Sequence, residues 1–160
     1  MQVLDASSAL YAWDNYPIDQ FPSLWAWLEQ QIAIGQLAIA AVALDEVSHK
    51  SPECASWLKP RRIAVLPVTQ AILLDALRIK ALLGVQGEDY HADGVGENDL
   101  LIVATARAHD AELLTDEARQ PKLPLNRRKY KIPAVCGLPE VATDCLNFVE
   151  YFKRSQAVFG

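Results

Sequence analysis

Residues 98–116 read NDLLIVATARAHDAELLTD, and they decide the fold, because an apolar helical stretch leads here into a short strand that ends at an acid. Asp99 opens the helix-like segment, and the strand Glu112–Thr115 is followed directly by Asp116. Strands that alternate with helices predict a parallel sheet, and ligands of such sheets bind outside the carboxyl ends of the strands. The stretch therefore predicts one helix–strand unit of an α/β fold, with two acids brought to the same edge.

Two further acids follow apolar runs elsewhere in the chain. Asp5 ends the first run, Met1–Leu4, and Glu46 follows the apolar stretch Leu37–Leu44. Two carboxylates about 4 Å apart repel each other by roughly 4 kcal/mol at an effective dielectric constant near 20. Four of them at one edge are therefore hard to keep ionised without a cation. Because oxygen-only ligand sets favour Mg²⁺ or Mn²⁺, the pattern points to metal-assisted phosphodiester chemistry.

Around these acids the sequence resembles that of the PIN-domain ribonucleases. The best matches are toxins of the VapC type and a related bacterial PIN subfamily without an assigned role. The block from Asp99 to Asp116 is the most specific part of the resemblance, and the position of Glu46 is the least specific. The matching stretches follow one another in the family's order: Met1–Ser8, Leu44–Val47, Asn98–Ala106 and Glu112–Asp116.

This resemblance implies a single domain over residues 1–160, folded as an α/β/α sandwich of three layers around a mainly parallel sheet of about five short strands. It implies a metal-dependent endoribonuclease that acts as the toxin of a toxin–antitoxin pair. The implied Mg²⁺ or Mn²⁺ ligands, which are also the catalytic residues, are Asp5, Glu46, Asp99 and Asp116. Asp45 competes with Glu46, since consecutive helical residues point about 100° apart and only one of the two should face the site.

Three neighbours of these acids are expected to support them. Ser7 and Thr115 resemble the small polar residues that lie near the metal in the family, where a hydroxyl can orient a carboxylate or hold a water. The alternatives are a helix cap for Ser7 and an ordinary strand-end hydroxyl for Thr115. Glu117 follows Asp116 and is a candidate to take or share its role.

The densest run of basic residues in the chain follows Asp116. A basic loop beside a carboxylate metal site is where the phosphate backbone of RNA would be held. The alternatives are a solvated loop or a contact with an acidic segment of the antitoxin. The residues expected to bind RNA are Arg119, Lys122, Arg127, Arg128 and Lys129.

Composition bounds the remaining possibilities. The net charge of -5 and the pI near 5.1 are unlike the basic balance of most nucleic-acid-binding proteins, unless the acids form the metal site and the bases cluster elsewhere. The three cysteines lack the C-x-x-C spacing of a zinc site and are odd in number, which disfavours a disulfide framework.

The N-terminus lacks the pattern of a signal peptide. The longest apolar stretch, Ile32–Leu44, is too short to span a bilayer. We therefore expect a cytoplasmic protein without a membrane partner.

The remaining segments are assigned from periodicity and turn residues. Thr69 is expected to cap an amphipathic helix, and Asn98 is expected to cap the helix that follows. The residues expected on the apolar side of the first of these helices are Ile72, Leu73, Ala76, Leu77 and Leu83. Ile132–Cys136 is expected to form the fifth strand, and the last helix is expected to run from Leu138 onward.

Other functions place acids at strand ends too. A phospho-receiver-like regulatory domain usually has two adjacent acids after its first strand and a lysine just after its last strand, whereas here Ala6 follows Asp5 and Lys131 precedes the expected last strand. A phosphatase with an aspartate nucleophile requires a second Asp two residues after the first, whereas this chain has Ser7 at that position. A PIN fold that has lost catalysis and only binds a partner is the third alternative. Association into a homodimer is left open.

Overall fold

Five short parallel strands form the central sheet in a computed structural model that describes residues 1–160. They are β1 (Gln2–Leu4), β2 (Leu37–Ala40), β3 (Ala64–Leu66), β4 (Glu112–Leu114) and β5 (Cys145–Leu146). Their order across the sheet is β3-β2-β1-β4-β5, and every neighbouring pair is parallel. Strands in the middle of a parallel sheet are covered on both faces and carry continuous apolar runs. Accordingly, all four residues of β2 are buried.

Eight helices flank this sheet. They are α1 (Ala6–Asn15), α2 (Pro22–Ala33), α3 (Ala41–Lys50), α4 (Pro52–Leu58), α5 (Gln70–Leu82), α6 (Glu97–Ala108), α7 (Ile132–Cys136) and α8 (Phe148–Ser155). Sheet and helices share one cluster of 42 buried apolar residues. None of the helices combines the length and the apolar character that a membrane span requires.

The register of the strands brings the acids to one edge. Leu4 lies opposite Ile39 in β2 and opposite Leu114 in β4, so β1 and β4 end at the same level and β2 ends one residue beyond it. The residue after β1 is Asp5, and its backbone N–H donates to the carbonyl of Leu114 at 2.9 Å. The predicted α/β class with a parallel sheet of five strands is confirmed.

The C-terminal part of the chain differs from the prediction. Ile132–Cys136 is a helix rather than a strand, because Pro133 lies in its first turn, where the missing N–H costs nothing. The fifth strand is Cys145–Leu146, which has only two residues. The last helix accordingly begins at Phe148 and not at Leu138, and Asn147 caps it by accepting a hydrogen bond from the backbone N–H of Glu150 at 2.8 Å.

Two expectations about helix ends and faces are also corrected. Asn98 does not cap α6, because that helix begins at Glu97 and its N-cap is Gly96. Thr69 caps α5 as predicted, since its hydroxyl accepts from the backbone N–H of Ile72 at 3.2 Å. On the predicted apolar side of α5, Ile72, Ala76 and Leu83 are buried as expected, and Ile79 is buried with them. Leu73 and Leu77, which were expected on the buried face, are 43% and 49% exposed.

Candidate active site

Asp5 lies at the centre of the acidic edge. It directly follows β1 and is only 3% exposed. Its Oδ2 accepts hydrogen bonds from the hydroxyls of Ser7 and Thr115, the latter at 2.9 Å. Burial raises the pKa of the Asp5 carboxyl, and the two hydroxyls oppose that rise because they stabilise the ionised form. The carboxylate is thus desolvated but fixed in orientation.

Asp116 reaches the same edge from the end of β4. Its Oδ2 accepts from the hydroxyl of Ser8 at 2.6 Å and from the backbone N–H of Phe148, at the start of α8, at 3.2 Å. Burial raises the pKa of this carboxyl, and the negative charges of Asp5 and Glu150 add to the rise. Both hydrogen bonds end on Oδ2, so Oδ1 of Asp116 remains available to bind a ligand.

Ser8 is the residue of this site that the sequence reading missed. Its side chain is fully buried, and its hydroxyl donates a hydrogen bond to the carboxylate of Asp116, 108 positions away in the chain. The sequence analysis gives Ser8 no role beyond its place at the end of the matching stretch Met1–Ser8. A contact between the first helix and the end of the fourth strand leaves no local pattern, so only the assembled fold brings the two residues together.

Asp99 approaches from the first turn of α6. Its Oδ2 accepts from the backbone N–H of Gly96 at 2.8 Å, which ties the carboxylate to the start of the helix. The pKa of Asp99 is raised to about 6, mainly by burial and further by the negative charges of Asp5, Glu117 and Glu46. Asp5, Glu46 and Glu117 therefore all act on Asp99 at this edge.

Glu46, and not Asp45, turns toward this edge. Glu46 is half-buried in α3, and its Oε1 accepts from the side-chain amide of Asn98 at 3.3 Å. Asp45 is exposed, and its backbone carbonyl contacts the ring Nδ1 of His49 at 2.7 Å. Asn98 therefore joins Glu46 to the first turn of α6, one residue before Asp99.

The three accessory residues lie between the acids. The Ser7 hydroxyl accepts from the backbone N–H of Asp116 at 2.9 Å and lies 3.2 Å from the hydroxyl of Thr115. The backbone N–H of Glu117 donates to the Thr115 hydroxyl at 3.2 Å. The two hydroxyls thus link the ends of β1 and β4, and the helix-cap role of Ser7 is not observed because Ser7 lies inside α1.

The donor set of this edge suits a hard divalent cation. Its side chains offer carboxylate and hydroxyl oxygens and no sulfur or imidazole, as Mg²⁺ and Mn²⁺ prefer. Raised pKa values at Asp5, Asp99 and Asp116 indicate that the ionised carboxylates lack compensating positive charge. As placed, no three acidic, histidine or cysteine side chains converge closely enough to hold one ion. The acids surround the edge, and a cation would have to draw them together.

Two members of the basic run are already engaged in ion pairs. Arg119 makes two hydrogen bonds to the carboxylate of Glu150, one of them at 2.6 Å, close to Asp116. Arg128 pairs with Asp89 at 3.0 Å. The guanidinium of Arg127 reaches only a backbone carbonyl, that of Leu82, at 3.4 Å. Lys122 and Lys129 are exposed and make no ion pair.

A close backbone contact places the basic run beside α6. A Cβ atom at Gly94 would lie 1.8 Å from the carbonyl oxygen of Arg128, so no residue with a side chain fits there without displacing one of the two segments. The next residue, Val95, donates its N–H to the carbonyl of Tyr130 at 2.9 Å. The segment Arg127–Tyr130 therefore packs against the turn that leads into Asp99.

The raised pKa of Asp99 predicts how the stability of the metal-free protein depends on pH. A group with a raised folded-state pKa stabilises the fold fully below its unfolded-state pKa and loses that contribution as the pH rises through its folded-state pKa. For Asp99 this window runs from the ordinary value of 3.8 to about 6. We expect Asp99 to lower the free energy of unfolding by on the order of 2–3 kcal/mol between pH 4 and pH 7.

Denaturant unfolding in the presence of a chelator, at several pH values, measures this effect. The wild type should lose stability relative to Asp99→Asn as the pH rises, because the amide cannot ionise but can still accept the hydrogen bond from Gly96. A difference between the two proteins that stays constant from pH 4 to pH 7 would contradict the expectation.

Comparison with known proteins gives a family and a fold. A family model described as "Domain of unknown function (DUF4411)" matches residues 2–159. None of the curated proteins matches the chain.

Several solved structures share its architecture. VapBC2 from Rickettsia felis, bound to a DNA fragment from its promoter, has 19% identity and a TM-score of 0.57 over 92% of this chain and 98% of that one. A toxin–antitoxin complex from Klebsiella pneumoniae has 17% identity and a TM-score of 0.50 over 91% and 96%. FitAcB from Neisseria gonorrhoeae has 15% identity and a TM-score of 0.50 over 92% and 97%. At these identities the likeness shows the fold, and it confirms the predicted PIN-like architecture.

Proposed function

The chain belongs to the family described as Domain of unknown function (DUF4411), and from its PIN-like fold and its acidic edge we propose that it is a metal-dependent endoribonuclease. The observation that carries this proposal is that Asp5, Asp99 and Asp116, from three separate elements, are all desolvated at this edge, where the charge of Asp5 acts on both of the others. Glu46 completes the set from α3. Three desolvated acids at one edge lower the stability of the fold, so a functional role explains why they are together.

In this proposal the residues of the edge hold Mg²⁺ or Mn²⁺ and orient the phosphodiester. A divalent cation held there supplies charge neutralisation and lowers the pKa of an attacking water. Ser7 and Thr115 keep Asp5 in one orientation, and Ser8 does the same for Asp116. The carboxylates are thereby positioned before the substrate arrives, which reduces the cost of reorganisation during the reaction. No side chain at the edge is needed as a nucleophile.

We further propose that the protein is the toxin of a toxin–antitoxin pair and binds a cognate antitoxin. The support is the fold, since the Rickettsia felis structure and the Klebsiella pneumoniae toxin–antitoxin complex cover nearly the whole chain. Co-expression with a small protein encoded next to it should suppress RNA cleavage and yield a stable complex on gel filtration. Full cleavage activity in the presence of each neighbouring gene product would contradict the antitoxin part of the proposal.

An RNA-cleavage assay tests the nuclease. The purified protein is incubated with a panel of structured and single-stranded RNAs in Mg²⁺, in Mn²⁺ and in chelator. We expect internal cleavage with either cation and none in chelator. Intact RNA under every condition would favour a fold that only binds a partner. Cleavage that continues in the presence of chelator would contradict the requirement for a metal ion. Phosphorylation by a small phosphodonor would instead favour a receiver-like domain, although the residue directly after β5 is Asn147 and not a lysine.

The basic run is proposed to hold the RNA backbone, chiefly through the residues without an acidic partner. Replacing Lys122, Arg127 and Lys129 by glutamine should weaken binding to all RNA sequences alike. For single-stranded RNA, each lost phosphate contact lowers the slope of log affinity against log salt by about 0.7, so the triple variant should lose about two units.

A matched control removes three exposed cations from other parts of the surface, Lys59, Arg62 and Lys153. It changes the net charge equally and should leave most of the slope intact. Equal slopes of log affinity against log salt for the wild type and the Lys122, Arg127 and Lys129 variant would contradict a role for this loop in binding RNA.

A further inference from the structure

One side of α1 brings an aromatic ring to the acidic edge. Ser7 and Ser8 both contact Asp116, since the Ser7 hydroxyl accepts from its backbone N–H at 2.9 Å and the Ser8 hydroxyl donates to its carboxylate at 2.6 Å. On a helix, residues three and four positions apart lie on the same side, one turn of about 5.4 Å along the axis. Tyr11 lies three residues after Ser8 and four after Ser7. It is therefore on the side of α1 that faces Asp116.

The contacts of the Tyr11 ring agree with this placement. Side chains of a helix lean toward its N-terminus, so a long side chain covers the preceding turn, which here holds the two serines. The ring centre of Tyr11 lies 6.4 Å from that of Phe148. The backbone N–H of Phe148 in turn donates to the Asp116 carboxylate at 3.2 Å. Two separate elements, α1 and α8, thus connect Tyr11 with Asp116.

The Tyr11 ring is supported by other rings but is not enclosed by them, and Tyr11 is only half-buried. Its two aromatic neighbours, Tyr16 and Phe148, are tilted by 59° and 54°, so neither covers the face of its ring in a parallel stack. Tyr16 is itself fixed by further rings, with ring centres at 5.2 Å for Phe21 and 5.8 Å for Phe152. The cluster therefore holds a partly exposed ring in place beside the acids.

We propose that Tyr11 stacks one unpaired nucleobase of the RNA, next to the phosphodiester that the acidic edge cleaves. This inference rests on the proposed function, and it adds the class of substrate, which is RNA that is single-stranded at the cleaved position. In a nucleotide the base is separated from its phosphate by only one ribose, so a ring one helical turn from the serines that hold Asp116 is close enough to meet the base. Stacking on an aromatic ring accepts every base, because every base has a π-face.

The charge of the edge favours a neutral base as the ligand of this ring. The carboxylates beside Tyr11 would repel an acidic protein segment, whereas a nucleobase carries no charge. An arginine at this position would also stack on bases, but its guanidinium would pair with the carboxylates and compete with the cation. A tyrosine stacks without that competition. The bases of an A-form duplex are already stacked and paired, so the ring selects against double-stranded RNA.

Fluorescence titration tests the stacking without reference to cleavage. The purified protein is added to single-stranded hexaribonucleotides that carry 2-aminopurine at one position each, in chelator and at low salt, so that metal-dependent cleavage does not occur. Stacking on an aromatic ring quenches this base. We expect quenching at one position of the hexamer, and 5-iodouridine at that position should photo-crosslink to Tyr11. An abasic site there should weaken binding to the wild type by about 5-fold to 100-fold, which is the usual range for one stacked base.

Tyr11→Leu should lose the quenching and bind the intact hexamer as weakly as the wild type binds the abasic one. Tyr11→Phe, which keeps the ring, should stay within about twofold of the wild type. Phe159→Leu is the matched control, because it removes a half-buried ring that contacts Trp27 and Phe152 rather than Tyr11. No quenching at any position of the hexamer, a crosslink on another residue, or an equal loss for intact and abasic RNA in Tyr11→Leu would overturn the proposal. The last of these results would instead indicate a protein partner for this surface.

Cleavage gives a second readout. In a hairpin RNA we expect cuts in the loop and an intact stem, and Tyr11→Leu should raise KM with little change in kcat, because stacking holds the substrate and the transition state alike. Stems cut as fast as loops would overturn the proposal. Quenching at Tyr11 without any cleavage would support the stacking and contradict the nuclease, whereas cleavage that is indifferent to Tyr11→Leu would contradict the stacking alone.

Discussion

Asp99→Asn should lower the rate of metal-dependent RNA cleavage by about 100-fold to 1,000-fold, the usual cost of removing one preorganised electrostatic group from an active site. Asp5→Asn should have an effect of the same size. Both amides can still accept the hydrogen bonds that their carboxylates now receive from Gly96, Ser7 and Thr115. The fold should therefore survive, and far-UV circular dichroism should be unchanged.

Asp45→Asn is the matched control for these variants. It removes one negative charge next to Glu46, but Asp45 is exposed and Glu46 is the one that contacts Asn98. Its cleavage rate should stay within about threefold of the wild type, a change of roughly 0.7 kcal/mol in activation free energy. Cleavage at the wild-type rate by both Asp5→Asn and Asp99→Asn would contradict a catalytic role for the acidic edge.

Manganese should raise the melting temperature of the wild-type protein by about 5–10 °C. A ligand at about 100 times its dissociation constant adds roughly 2.7 kcal/mol to the free energy of unfolding, and 1 kcal/mol shifts the midpoint of a domain of this size by about 2–4 °C. The physical reason is the relief of repulsion and desolvation at Asp5, Asp99 and Asp116, whose raised pKa values report that cost.

Differential scanning calorimetry at neutral pH, with and without millimolar Mn²⁺, measures this shift. Asp45→Asn should show the full shift, and Asp5→Asn should show a much smaller one. Melting curves of the wild type that coincide with and without Mn²⁺ would contradict the proposed metal site while leaving the fold untouched.

The sequence predicted the parts of this molecule that local pattern determines. Continuous apolar runs predicted β1 and β2. Asp5 and Asp116 were predicted at the carboxyl ends of strands because each follows a short apolar run, β1 and β4 respectively. The hydroxyl of Thr69 was recognised as a cap, because a cap depends on residues within one turn. The resemblance to the PIN-domain family then implied which acids belong to one site and matched the order of the four stretches that carry them.

Features that depend on distant partners were missed or misassigned. Ile132–Cys136 carries β-branched residues, which favour a strand, but its proline suits the first turn of a helix, and a helix is what forms. The true fifth strand, Cys145–Leu146, is too short to show alternation.

The faces of α5 show a second reason for such errors. Its sequence is apolar on more than one side, so periodicity alone does not say which side packs against α6 and the core. The structure turns Ile72, Ala76 and Ile79 inward and leaves Leu73 and Leu77 exposed. Packing against the neighbouring elements made this choice, and no pattern within the helix records it.

The position of a bound cation tests the central claim most directly. Crystals of the protein grown with Mn²⁺ allow the ion to be located by its anomalous scattering. The account predicts one peak or two at the end of the sheet, about 2.1 Å from carboxylate oxygens of Asp5 and of at least one of Asp99 and Asp116. A map without a peak at that edge in millimolar Mn²⁺, or with its strongest peak on other residues, would contradict it.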